Sequence, residues 1–165
     1  MAIGDDLLAL DQQLCFALYS ASRAMTRAYQ PLLDPLGITY PQYLVLLVLW
    51  ESDGVSVKQL GERLSLDSGT LTPLLQRLEA QSLVRKARSD EDERVVLVHL
   101  TPAGRQLKSK AKGVPKALAC QAGFDVNDAD SLAELRALRE KLHALAATIN
   151  DVAPMASARR AKKRE

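Results

Sequence analysis

The chain has 165 residues, of which 47% are hydrophobic and 25% are charged, and its formal net charge is +2. This composition is typical of one globular domain and excludes a disordered, fibrous or membrane-embedded protein. The longest apolar run, residues 43–50, is far shorter than the roughly 20 residues that cross a bilayer, and the N-terminus lacks a secretory leader pattern, so we expect a cytoplasmic protein.

Residues 5–29 have the apolar spacing of a long amphipathic helix. Hydrophobic side chains recur at every third or fourth position, which is the period of one helix face. This stripe consists of Leu7, Leu10, Leu14, Leu18, Ala21, Met25 and Ala28. Prolines and a glycine break the chain within residues 31–37, and a second helix is predicted over residues 41–52. The second helix is apolar on most sides and is therefore predicted to be a central core helix.

Residues 56–81 predict two short helices separated by a tight turn. Ser56 and Gln59 have the spacing of a capping box, and Asp67 is a suitable N-cap for a second helix that ends near Gln81. Helical periodicity gathers the leucines of the second helix on one side and leaves small, hydroxyl and amide side chains opposite. Such a surface can enter a major groove and bond to base edges. The predicted DNA contacts are Ser68, Thr70, Thr72, Gln76 and Arg77. Pro73 predicts a loose or late first turn.

Residues 85–100 predict a β-hairpin with an acidic tip at residues 89–94. A charged tip alone is more typical of solvated surface, but its place directly after a helix of the recognition type favours a DNA-binding wing. An arginine at such a tip suits the narrow, negative minor groove. The predicted contacts are Arg88 and Arg94, with Asp92 orienting Arg94. Residues 41–100 therefore predict a winged helix-turn-helix.

Residues 101–150 predict further helices, within which Ser131 and Glu134 form a second capping box. A narrow apolar seam follows, made of Leu132, Leu135, Leu138, Leu142, Leu145 and Ile149. This seam and the stripe of residues 5–29 each need a partner helix, so we expect both to form the interface of a two-fold homodimer. The fold class is then mainly α with a small β-hairpin wing, and two recognition helices would bind an inverted repeat in double-stranded DNA. Residues 151–165 predict a basic, disordered tail.

Cys15 and Cys120 are the only cysteines, and together with two histidines they show no spacing typical of a metal site, so we expect no metal and no cofactor. The default for each thiol is a small, buried, apolar residue. All four tyrosines, however, lie between Cys15 and residue 44, and phenol hydroxyls can stabilise a thiolate by donating hydrogen bonds. The alternative is that these tyrosines are core rings with solvated tips.

Four segments carry a close resemblance to known proteins: DQQLCFALYSASRAMTRAY, LLDPLGITYPQYLVLLVLWE, GERLSLDSGTLTPLLQRLE and DERVVLVHLTPAGR. Over roughly residues 7–148 the chain resembles the MarR family of dimeric bacterial regulators, and these segments resemble its organic hydroperoxide sensor branch, OhrR. The resemblance implies that Cys15 is the peroxide-reactive thiol and that Tyr29 and Tyr40 hold it across the subunit interface. It also implies that Cys120 of the other subunit is the resolving cysteine.

The implied mechanism begins with oxidation of Cys15 by an organic hydroperoxide and ends with a disulfide to Cys120 that releases the repressor from DNA. A disulfide requires Cα atoms within about 7 Å of each other, so helices that start farther apart must shift. Tyr19 is a third candidate for thiol support. Phe16, Met25 and Trp50 are predicted to line an apolar pocket for the peroxide.

Three alternatives stay open. A MarR-type regulator would respond to a small phenolic ligand with inert cysteines. A thiol peroxidase would be an enzyme, but the sequence has neither a Cys–His pair at a recognisable spacing nor a thioredoxin-like strand pattern. A protein-interaction module would not bind DNA at all. We therefore predict a regulator that is not an enzyme.

Overall fold

The structure is a computed structural model that describes residues 8–161, with side chains described for residues 8–151. Within these residues the chain forms seven α-helices and three β-strands. The helices are α1 (Leu14–Leu33), α2 (Tyr40–Glu51), α3 (Val57–Leu64), α4 (Ser68–Ala80), α5 (Pro102–Ala111), α6 (Val114–Gln121) and α7 (Ala129–Ala161). The strands are β1 (Val55–Ser56), β2 (Val84–Arg88) and β3 (Val96–Leu100). The chain divides into two compact units, of which the first ends at Leu118 and the second begins at Ala119.

Helix α2 is the centre of the first unit's core, as its apolar composition predicted. Its buried apolar side chains are Tyr43, Val45, Leu46, Val48 and Leu49. Gln42 is also buried, and its side-chain oxygen accepts the Thr39 N–H at 2.8 Å at the start of the helix. Its amide group donates to the Gln81 side chain at 3.2 Å, so a polar contact ties the start of α2 to the end of α4.

The three strands form an antiparallel sheet in the order β1-β3-β2. The predicted hairpin is β2 and β3, which pair from Val84 opposite Leu100 to Arg88 opposite Val96. We call residues 84–100 the wing. The sequence did not predict β1, because a strand of two residues has no alternation to detect. It pairs with β3 immediately before α3 begins.

Helix α1 differs from the helix predicted over residues 5–29 at both ends. It begins at Leu14, after a 3-10 turn at Leu10–Gln12, and residues 5–7 lie outside the described residues. It also continues past Pro31 to Leu33. A proline removes one backbone hydrogen bond, and near the end of a helix this loss does not stop the last turn from forming.

Helix α7 belongs to the second unit and has 33 residues. Asp128 caps its first turn, since one of its carboxylate oxygens accepts the Ser131 N–H at 2.8 Å. The predicted N-cap, Ser131, is therefore three residues after the observed one, Asp128. The predicted disordered tail of residues 151–165 also differs, because the backbone is helical through Ala161, while residues 162–165 lie outside the described residues.

In the part of the chain that the structure describes, no single helix combines the length and the apolar composition of a bilayer-crossing segment. The pair Leu14–Leu36 and Tyr40–Glu51, bent by 72°, meets that test on length and composition alone.

Candidate functional site

Helix α4 presents the exposed polar surface that the sequence predicted. Leu71, Leu74, Leu75 and Leu78 are buried. The exposed residues on the opposite side are Ser68, Gly69, Thr70, Thr72, Pro73, Gln76 and Arg77. We call α4 the recognition helix.

The recognition helix begins at Ser68, immediately after its N-cap Asp67. A carboxylate oxygen of Asp67 accepts the Thr70 N–H at 2.8 Å, and this bond holds the pKa of Asp67 below its usual value. The first turn is therefore neither loose nor late, contrary to the expectation from Pro73. The capping bond fixes that turn, and the backbone bond that Pro73 removes lies beyond it.

Backbone contacts shape the tip of the wing. Asp92 accepts the backbone N–H of Arg94 at 2.9 Å, so it fixes the main chain of Arg94. The Arg88 guanidinium donates to the carbonyl oxygen of Glu93 at 3.1 Å across the turn. Arg94 is exposed at the tip. The tip is therefore an ordered turn that projects an arginine.

A groove of about 490 Å³ lies between α3, the recognition helix and the wing. It is lined by Ser56, Val57, Lys58, Thr72, Leu75, Lys86, Arg94, Val95 and Val96. Three of these side chains are cationic, and none is acidic. Lys86 is held in place by Glu79, whose carboxylate is 3.0 Å from its ammonium group and also accepts its backbone N–H at 3.2 Å. Sequence reasoning did not single out Lys58, because only the folded chain brings it into one groove with Arg94, whereas Lys86 is one of the cations that bracket the acidic tip in the sequence.

Asp53 connects the end of α2 with the sheet and with α5. Its Oδ1 accepts the Leu100 N–H at 2.8 Å, and its Oδ2 accepts the Arg105 guanidinium at 2.7 Å. Partial burial raises the pKa of Asp53, but these hydrogen bonds outweigh the burial and leave the pKa below its ordinary value. Asp53 is therefore ionised at neutral pH and holds the end of the wing against the first turn of α5.

Cys15 is exposed in the first turn of α1. One turn later Tyr19 is 56% exposed, and its ring stacks against Phe16 with the centroids 6.5 Å apart. Cys120 is exposed near the end of α6, in the second unit. Neither thiol is buried in the core of the single chain, contrary to the default expectation for both cysteines.

Three tyrosines pack together near the C-terminal end of α1, which is the end opposite Cys15. The Tyr29 ring lies 4.5 Å from that of Tyr40 and 5.7 Å from that of Tyr43, and Tyr43 lies 6.0 Å from Trp50. We call these four residues the tyrosine cluster. Burial is the larger cause and the neighbouring phenols are the smaller one, and together they raise the pKa of Tyr29 to about 12. Burial also raises the pKa of Tyr40. Their hydroxyl groups are therefore protonated at neutral pH and can donate hydrogen bonds.

Two of the predicted support residues, Tyr29 and Tyr40, do not meet Cys15 within one chain. Tyr29 follows Cys15 by fourteen positions on the same helix, which separates their Cα atoms by about 21 Å. The predicted peroxide pocket is divided in the same way. Phe16 lies beside Tyr19, Trp50 lies in the tyrosine cluster, and Met25 is 41% exposed on α1 between them.

No group of three or more histidine, cysteine or acidic side chains comes together as a possible metal site among the residues with described side chains.

The fold and these surfaces define a class of protein: a winged helix-turn-helix DNA-binding regulator. The family described as transcriptional regulator SarA/Rot matches residues 27–111. The chain is 52% identical over 141 residues to the organic hydroperoxide resistance transcriptional regulator of Bacillus subtilis, covering 84% of this chain and 95% of that protein.

Two solved structures show the same fold. Reduced AbfR bound to DNA has 34% sequence identity and a TM-score of 0.64, covering 85% of this chain and 96% of AbfR. MarR from E. coli has 27% sequence identity and a TM-score of 0.62, covering 79% of this chain and 96% of the MarR chain. The chain belongs to the MarR family of transcriptional regulators, in its organic hydroperoxide regulator (OhrR) branch.

Proposed function

We propose that this regulator is a redox-sensing repressor that binds an inverted-repeat operator in the cytoplasm as a homodimer, and that organic hydroperoxides release it by oxidising Cys15. The observation that carries the proposal is the exposed thiol of Cys15 in the first turn of α1, in a chain that is 52% identical to an organic hydroperoxide resistance regulator. An exposed thiol can meet a peroxide from solvent, whereas a buried one cannot.

Uncovered apolar side chains support the homodimer. On α1 and just before it they are Leu10, Leu14, Tyr19 and Met25, and on α7 they are Leu132, Leu138, Leu142 and Ile149. Exposed apolar surface in a row along a helix is typical of a face that a partner helix covers. A two-fold axis perpendicular to α1 runs the two copies of α1 in opposite directions. Cys15 then lies beside the tyrosine cluster of the partner subunit, which bridges the separation of about 21 Å within one chain.

The chemistry follows from a thiolate held by protonated phenols. The sulfur of Cys15 attacks the outer oxygen of ROOH, so an S–O bond forms, the O–O bond breaks and the alcohol ROH leaves. The product is a sulfenic acid. The thiol of Cys120 in the partner subunit then condenses with it, a disulfide forms and water is lost. The disulfide draws the two helices together, which changes the spacing of the recognition helices, and an external thiol reverses it.

The arrangement of the recognition helix and the wing supports a specific mode of DNA binding. The recognition helix enters the major groove with Thr72, Gln76 and Arg77, and Arg94 of the wing reaches the adjacent minor groove. A DNA strand must pass between these two contacts. The groove lined by Lys58 and Lys86 lies there, so its cations are placed for the phosphates of that strand.

We expect Lys58→Ala to weaken binding about equally for all DNA sequences. Its side chain is 86% exposed, so truncating it costs little stability. Loss of one phosphate contact in each subunit of the dimer should reduce the slope of log K against log salt concentration by about 2. Fluorescence anisotropy at several salt concentrations measures this slope. Lys110→Ala is the matched control, because Lys110 is exposed on α5 and is not among the groove residues. Equal slopes for both variants would mean that Lys58 does not contact a DNA phosphate.

The function is tested with a duplex that the reduced protein selects from a randomised pool. We expect cumene hydroperoxide to lower the affinity for this duplex more than tenfold, and to produce a disulfide-linked dimer on a non-reducing gel. Dithiothreitol should restore binding. Unchanged binding and no crosslink would instead favour a regulator that responds to a small ligand with inert cysteines.

A further inference from the structure

A series of side-chain hydrogen bonds joins the start of α2 to the end of the recognition helix. Among the polar side chains that the structure describes, the buried one is that of Gln42, with 3% of its surface exposed. Its oxygen accepts the Thr39 N–H at 2.8 Å and the Thr39 hydroxyl at 3.2 Å, and its amide nitrogen donates to the Gln81 side-chain oxygen at 3.2 Å. The Gln81 amide nitrogen in turn donates to the Gly37 carbonyl oxygen at 2.8 Å. We call Gly37, Thr39, Gln42 and Gln81 the glutamine link.

The glutamine link has the tyrosine cluster at one end and a predicted DNA contact at the other. Tyr40, the first residue of α2, lies between Thr39 and Gln42 in the chain, and its ring belongs to the tyrosine cluster. Gln81 is the C-cap residue of the recognition helix, and its backbone N–H donates to the Arg77 carbonyl oxygen at 3.0 Å. The link therefore runs from the residues that flank Tyr40 to the turn that holds Arg77.

Apolar packing also joins α2 to the recognition helix, but it fixes their relative position less strictly. Leu46 of α2 lies in one core cluster with Leu71, Leu75 and Leu78 of the recognition helix. Burial of apolar surface is non-directional, whereas a hydrogen bond weakens steeply when its length or angle departs from the optimum. The Gln42 amide is buried, so a broken bond to Gln81 is not readily replaced by one to water. A shift of the first turn of α2 is therefore transmitted to the end of the recognition helix.

We propose that Gln42 and Gln81 are positioning residues that couple oxidation of Cys15 to the recognition helix. This inference rests on the proposed function, which places Cys15 of the partner subunit beside the tyrosine cluster. Oxidation changes what the Tyr40 hydroxyl contacts, the first turn of α2 moves, and the glutamine link carries that movement to Arg77. In this role neither glutamine needs to touch the thiol or the DNA. The simpler interpretation is that Gln81 only satisfies a buried amide group and affects stability alone.

Gln81→Ala separates the two interpretations, because Gln81 is exposed and its truncation leaves the bond between Gln42 and Thr39 in place. We expect cumene hydroperoxide to oxidise Cys15 of this variant at the parent rate and to give the disulfide-linked dimer. The accompanying loss of DNA affinity, however, should shrink from more than about tenfold to less than about threefold, since the coupling between the two sites is weakened. Fluorescence anisotropy measures the affinities, and a thiol assay with a non-reducing gel measures the oxidation.

Gln106→Ala is the matched control, because it removes the same kind of side chain from an exposed position on α5. It should be released from DNA as fully as the parent. Gln81→Glu tests the bond to Gly37 at constant side-chain size. Its carboxylate can still accept from Gln42 but cannot donate to the Gly37 carbonyl oxygen, so release should again be less than about threefold.

Full release of either Gln81 variant would overturn the inference. Slower oxidation of Cys15 in Gln81→Ala would also overturn it, because the glutamine would then act at the thiol and not on the recognition helix. The proposed function fails separately, if hydroperoxide does not release the parent protein itself. Circular dichroism of each reduced variant reports that its fold is intact.

Discussion

Cys15→Ser should leave the DNA affinity of the reduced regulator within about twofold of the parent, and should abolish its release by organic hydroperoxide. The hydroxyl has nearly the size of the thiol and can accept hydrogen bonds from the same phenols, so the substitution leaves no polar group unpaired at the proposed interface. A serine hydroxyl is not oxidised by a peroxide, so neither a sulfenic acid nor a disulfide can form. Fluorescence anisotropy with the selected duplex, before and after cumene hydroperoxide, measures both quantities on one sample.

Cys120→Ser is the control that separates oxidation from resolution. Its Cys15 should still be oxidised, which a sulfenic acid probe detects, but a non-reducing gel should show no linked dimer. If Cys120→Ser still gives a linked dimer, Cys120 is not the resolving cysteine. Release of Cys15→Ser from DNA by hydroperoxide would contradict the proposed function itself, because the peroxide would then act at a site other than this thiol.

The elements that were predictable from the sequence are those that local signals determine. The four leucines of the recognition helix recur at the helical period and so lie on one side of it, and all four are buried. The capping box of α3 is present, with the Ser56 hydroxyl accepting the Gln59 N–H at 3.1 Å. These signals act over three or four residues, so the fold did not need to be known to interpret them.

The elements that were not predictable depend on contacts between distant parts of the chain. β1 exists because Val55 meets Val98 across the sheet. The start of α7 was misplaced because Asp128 and Ser131 are equally good capping residues, and spacing alone does not choose between them. The groove between α3, the recognition helix and the wing likewise depends on the fold, since the fold brings Lys58 and Arg94 into one lining although they lie far apart in sequence.

The proposed site at Cys15 draws on the sequence and on the fold. Resemblance identified Cys15 and the tyrosines, and the exposed position of the thiol agrees with that assignment. The helix length supports the part of that assignment that calls for two chains, because Cys15 and Tyr29 lie about 21 Å apart on α1 and do not meet within one chain. The proposed site would therefore be completed by a second chain.

The regulator also depends on the close approach of α5 to the start of the wing. Gly104 is buried in the first turn of α5, and a Cβ atom at this position would lie 2.1 Å from the Leu83 carbonyl oxygen. That oxygen cannot retreat freely, because it accepts the Thr101 N–H at 3.1 Å. The Gly104 carbonyl oxygen also accepts the indole N–H of Trp50 at 2.9 Å. Any side chain here must therefore push α5 away from both β2 and α2.

Gly104→Ala should lower the free energy of unfolding by about 3 kcal/mol, at the upper end of the usual cost of overpacking, because the clash is with backbone. Urea denaturation followed by circular dichroism measures the loss. Gly113→Ala is the matched control, since a Cβ atom there would have nothing within 4 Å, and it should be neutral or slightly stabilising. Equal midpoints for the two variants would mean that α5 and the wing are not held this closely. A destabilised Gly104→Ala that still folds should also bind the duplex more weakly, because β2 is part of the wing, whose tip we propose to contact DNA through Arg94.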